Sequence, residues 1–104
     1  MSEPSDNRQA RRFPVNFPLV CRSKGQEQRG RALNVSRGGV LVATADLLIV
    51  GMLMEVVLSV PGADTFQFKG IVRHASQDSG TGIEFLEVMP HYQARFAAYL
   101  ATLA

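Results

Sequence analysis

At 104 residues, with 46% hydrophobic and 19% charged residues and a net charge of +2, the chain has the size and composition of one folded domain around a single core. That balance excludes a chain disordered throughout, and the longest apolar run, Leu47 to Met54, is too short to span a bilayer. A lone cysteine, Cys21, cannot form an internal disulfide, and the polar start Met1 to Asn7 lacks the apolar stretch of a secretory signal, so a cytoplasmic protein without membrane insertion is expected.

Charge is distributed unevenly. Residues 1–37 carry eight arginines and lysines against three carboxylates, whereas residues 38–104 carry three against six. The positive excess in the first third implies an anionic partner there. It is too small and too local for a long nucleic-acid track, which favours a larger, continuous basic surface.

Residues 1–12 show no apolar periodicity, and Pro4, Ser5, Asp6 and Asn7 favour coil, so a flexible arm is expected ahead of a single domain at 13–104. Phe13 to Cys21 begins the folded part. Pro14 and Pro18 confine it to an edge strand or an extended lead-in, with Cys21 as a small core filler. A turn at Ser23 to Gln26 precedes a strand from Gln28 to Val35. The next turn, Ser36-Arg37-Gly38-Gly39, has paired glycines that are expected to supply positive φ. Strands follow at Val40 to Thr44, Met54 to Val60, Phe66 to Ala75 and Thr81 to Leu86, separated by turn signals at Pro61 to Asp64 and Gln77 to Gly80. The period then changes. Tyr92, Phe96, Tyr99, Leu100 and Leu103 recur every three or four residues, predicting an amphipathic helix over about 90–103 whose stripe packs on the sheet. The expected fold is all-β with one C-terminal helix, a six-stranded antiparallel barrel.

Catalytic chemistry has little support. His74 and His91 fall in different elements without metal-ligand spacing. Ser36 has no nucleophile-elbow sequence around it, Gly38-Gly39 is not followed by the Lys-Ser/Thr of a phosphate loop, and Glu84 and Glu87 read as a solvated strand edge. The expectation is a binding module rather than an enzyme, with no metal and no cofactor.

Two short motifs carry the binding chemistry: Arg8-x-x-x-Arg12 in the arm, and Asn34-x-Ser36-x-x-Gly39 in and before the glycine turn. Cationic forks on one segment and an amide, a hydroxyl and a close-approach glycine on another suit a flat anionic ligand with phosphates and purine edges. With the stretches Phe13 to Leu19, Gly70-Ile71-Val72-Arg73 and Gly82-Ile83-Glu84-Phe85, these motifs resemble the PilZ domain family from Arg8 to the C-terminal helix. The resemblance implies a receptor for cyclic di-GMP. By position, Arg8 and Arg12 would clamp phosphates and guanine faces, Asn34 and Ser36 would meet a guanine edge, and Gly39 would permit close approach. Arg37, on its charge, and Arg73, by its place in the later strand, join the candidate site. Where the family has Asp or Asn, this chain has Asn34, which offers one acceptor oxygen without charge assistance and so predicts reduced affinity. Asn7, beside the first motif arginine, leaves one ligand or a stacked pair open.

The expected mechanism is ordering of the arm across the barrel by the ligand, creating a surface for a downstream protein acting in trans. The alternative is a PilZ-like adaptor that does not bind nucleotide. An RNA- or single-strand-binding barrel is disfavoured, because the chain has no tryptophan and its six phenylalanines fall in core-like patterns rather than as stacking platforms.

Overall fold

The computed structural model describes residues 11–46, 48–62, 65–87 and 90–104. Residues 1–10 of the expected arm, with Asn7 and Arg8, and the loop residues Ala63 and Asp64, lie outside that description. Six strands follow in chain order: β1 (Phe13–Ser23), β2 (Gln26–Ser36), β3 (Gly39–Thr44), β4 (Leu53–Ser59), β5 (Thr65–Ser76) and β6 (Gly80–Glu87). One helix, α1 (Pro90–Leu103), ends the chain. The strands form a closed barrel in the order β1-β2-β3-β6-β5-β4, every pairing antiparallel.

Closure corrects the reading of Phe13 to Cys21 as an edge strand or lead-in for its C-terminal part only, the part before Leu19 being paired with β2 alone. Leu19 to Arg22 pair with Leu58 to Glu55 of β4, so the C-terminal half of β1 is the seam that completes the barrel. Pro14 and Pro18 are both exposed and lie ahead of that seam, where a missing N–H interrupts no β4 ladder. The β1–β2 hairpin turns on Lys24 and Gly25, at φ 51° and 77°, the two successive positive-φ residues of a type I′ turn.

The glycine turn at Arg37-Gly38 is built differently from the expectation. Neither Gly38 nor Gly39 adopts positive φ; the positive-φ glycines are Gly25, Gly51, Gly62 and Gly80. Gly39 is needed for space. A Cβ there would collide with the main-chain carbonyl of Ile83 on the neighbouring β6, whereas a Cβ at Gly38 would meet nothing within 4 Å.

All six phenylalanines are buried, which places them in the core. Phe68 stacks on Phe85 with centroids 4.1 Å apart, and Phe96 of α1 meets Phe66 and Phe68 edge-on at 5.2 and 4.9 Å. Phe96 and Leu100 are the buried residues of α1, with Tyr92, Tyr99 and Leu103 packed alongside, so the predicted stripe does seal the helix onto the barrel. Burying each large apolar side chain contributes roughly 1.5–3 kcal/mol. Cys21 is 2% exposed among them, and burial pushes its thiol up to about 11, as befits a filler rather than a nucleophile.

Candidate functional site

The β1–β2 register brings the two motifs together. Phe13 pairs with Val35 and Pro14 with Asn34, so Arg12 enters β1 beside Ser36 at the exit of β2. Arg12, Asn34, Ser36, Arg37, Gly39 and Arg73 all line one groove of about 610 Å³, within the usual range for small-ligand sites. Arg8 lies outside the described residues.

Asn34 reaches the groove because of a bulge. Ala32 pairs with Val42 and Asn34 with Leu41, a slip that leaves Leu33 as the extra residue. Ala32 and Val35 are buried, Leu33 is exposed and Asn34 is half-buried. Strict alternation from Ala32 would send Asn34 inward; the bulge turns it to the outer wall while Val35 returns to the core.

Ser36 is only 7% exposed, and its Oγ accepts a hydrogen bond from the Gly38 N–H at 3.2 Å. This is a serine turn, and the hydroxyl proton remains available for donation toward the groove. The Phe85 N–H donates to the Gly38 carbonyl at 2.8 Å, tying the turn to β6. The corner is therefore stiff: it is anchored at its start by a side chain and at its end by a strand of the barrel. The space opposite Gly39 is taken by β6, so its missing side chain serves the β3–β6 contact.

The arginines are held in different ways. The Arg11 guanidinium sits 5.2 Å from the Phe13 ring centroid, a cation–π contact at the root of the arm. Arg73 donates from Nε to Glu84 Oε1 at 2.5 Å, both side chains about half exposed. Of the two glutamates read as a solvated edge, Glu84 is thus an ion-pair partner inside the groove; the side chain of Glu87 lies outside the described residues. Arg12, Arg37 and Arg73 against Glu84 leave the groove an excess of two positive charges among the described residues.

Sequence reasoning missed three polar side chains of the groove: His74 of β5, Glu84 of β6 and Gln93 of α1. The helical spacing had put Gln93 off the apolar stripe, which was a usable signal. The bulge that exposes His74 left none. Among the described residues no group of three or more His, Cys, Asp or Glu is arranged to hold a metal ion.

The chain is thus a small closed barrel with a cationic outer groove and a stiff polar corner. The PilZ domain family model matches residues 6–102, and the chain belongs to that family. Among solved structures, the Bacillus subtilis inhibitor of motility MotI/DgrA superposes with a TM-score of 0.74 at 19% identity, covering 90% of this chain and 49% of that one. The likeness shows a shared fold, and the chain spans about half the length of that protein. No curated protein sequence matches the chain. No helix among the described residues is long and apolar enough to cross a membrane.

Proposed function

We propose that this chain is a cyclic di-GMP receptor, acting in the cytoplasm, whose ligand draws the N-terminal arm across the groove and so remakes a surface read by a partner protein in trans. The observation that supports it most is the register that seats Arg12 in the same groove as Asn34, Ser36 and Gly39. The excess of two positive charges there balances the two phosphodiesters of the ligand, and arginine can fork onto a phosphate or onto a guanine edge. Ordering each arm residue costs roughly 1–2 kcal/mol of backbone entropy. Forked arginine contacts of about 1–3 kcal/mol each, with stacking, offset a short arm, giving moderate, salt-sensitive affinity.

Isothermal titration with cyclic di-GMP tests this directly, with amide NMR signals of residues 8–13 and 34–39 followed in parallel. Saturable heat that falls with added salt, together with shifts in both segments, is the expected result. No heat at ligand concentrations on the order of 1 mM would refute it.

An adaptor reading without nucleotide has one observation in its favour. Ile49, Val50, Leu53 and Leu86 are each more than half exposed and line a single apolar depression away from the arginine groove. Replacing Arg8 and Arg12 together by alanine separates the readings: an adaptor keeps its partner, and a ligand-gated switch loses its ligand dependence.

A further inference from the structure

We propose that His74 is a ligand-contacting residue of this groove and couples cyclic di-GMP binding to pH, an inference that rests on the receptor reading above. Between β5 and β6 the register slips: Val72 pairs with Ile83 and His74 with Gly82, leaving Arg73 as the extra residue. Val72 is fully buried, while Arg73 and His74 are both exposed, so two successive side chains emerge on the outer wall. The facing strand accommodates the ring. A Cβ at Gly82 would collide with His74 Nε2 and come within 2.7 Å of Cδ2 and Cε1, so the imidazole occupies the space a side chain would fill. His74 thereby lines the groove alongside Arg12, Asn34 and Ser36.

An imidazole so placed can offer a ring face to a guanine, or an N–H to a phosphate when protonated. The charged groups that share the groove are Arg12 ahead of β1, Arg37 from the β2–β3 turn, Arg73 from β5 and Glu84 from β6; α1 contributes the neutral Gln93 and β3 the apolar Val40 and Leu41. Guanidinium and carboxylate groups as classes change charge outside the range of about pH 5.5–8, and imidazole changes charge within it. Two phosphodiesters in the filled groove favour the protonated ring over the neutral one. Ligand binding therefore takes up a proton, and affinity rises as pH falls.

The test is calorimetric titration of the full chain with cyclic di-GMP at about pH 5.5 and about pH 8. The set is wild type, His74→Gln, His74→Phe and, as a control in α1 outside the groove, His91→Gln. Wild type and His91→Gln should bind about five- to tenfold more tightly at the lower pH, the difference between a charge-assisted and a neutral hydrogen bond. Both His74 variants should bind with the same affinity at the two values. Wild-type binding that ignores pH, or a His74→Gln protein that keeps the full dependence, overturns the inference and leaves the receptor reading intact. Absence of binding at both values overturns both. Should a variant fail to fold, the wild-type His74 ring signals decide: their titration midpoint must move up when ligand is added, and an unmoved midpoint refutes the assignment.

Discussion

The motif glycine Gly39 offers the sharpest separation of a wall-building role from a ligand-approach role. A methyl group at 39 would have to displace the Ile83 carbonyl of β6, a main-chain atom held in the β3–β6 ladder, so no side-chain rotation relieves the collision. Overpacking of this kind costs about 1–3 kcal/mol. For a domain near this size, each 1 kcal/mol lowers Tm by roughly 4–8 °C. Gly38, one residue earlier, has open space around its absent Cβ and an ordinary φ, so alanine there should raise stability by about 0.4–1 kcal/mol through the unfolded chain.

Gly39→Ala and Gly38→Ala should thus differ by about 1.4–4 kcal/mol in unfolding free energy, in opposite directions from wild type. Urea unfolding followed by far-UV circular dichroism reads this difference, the chain having no tryptophan. If Gly39→Ala unfolds at the wild-type urea concentration and loses only cyclic di-GMP binding, Gly39 serves the ligand and the wall-building account is wrong.

Arg12→Ala should weaken cyclic di-GMP binding by about five- to a hundredfold, the loss of one forked contact, with little change in Tm because Arg12 is exposed; paired titration and thermal unfolding check this. Glu84→Gln removes the carboxylate that engages Arg73 and should tighten binding about two- to fivefold, by releasing that arginine to the ligand. The same change should alter unfolding free energy by less than about 1 kcal/mol, as for any half-exposed ion pair. Cys21 should resist thiol-alkylating reagents in the folded state and react fully in urea, as a mass-spectrometric time course would show. Its folded-state thiol is pushed up from 9.0 to about 11, so the folded chain holds a proton that the unfolded chain releases between those values; stability is intact below pH 9 and declines as pH rises toward 11.

The strands and the helix were legible because their signals are local. Alternation placed Phe66, Phe68 and Val72 on the inner face of β5, and Phe96 and Leu100 marked the buried stripe of α1. The meeting of Arg12 with the glycine turn was legible only through family resemblance, since it depends on a pairing register that no short window encodes. The turn itself was misread in a specific way. Paired glycines suggested positive φ, but the operative constraint is a neighbour from β6, forty-five positions along the chain from Gly39 to Glu84 in the pairing. His74 was invisible for a similar reason. In strict alternation with buried Val72 it reads as an inward residue, and only the β5–β6 slip turns it out.

Bulges connect these cases to the site as a whole. A closed barrel buries every second residue, so its outer wall ordinarily receives the other half and no more. Two slips, after Ala32 and after Val72, each bring an additional polar side chain to the outside of the same wall: Asn34 on β2 and His74 on β5. Between them run β3 and β6, where Gly39 and Gly82 keep the surface low enough for the carbonyl of one strand and the ring of another to settle onto it. The groove is thus a product of irregularity at its flanks and of missing side chains at its floor. Its polar groups are consequently held by the barrel ladders, while the cation at its open side, Arg12, is attached to the segment that precedes them. On the receptor reading proposed above, a compact dianion would close onto this fixed floor through Arg12 without disturbing the core beneath.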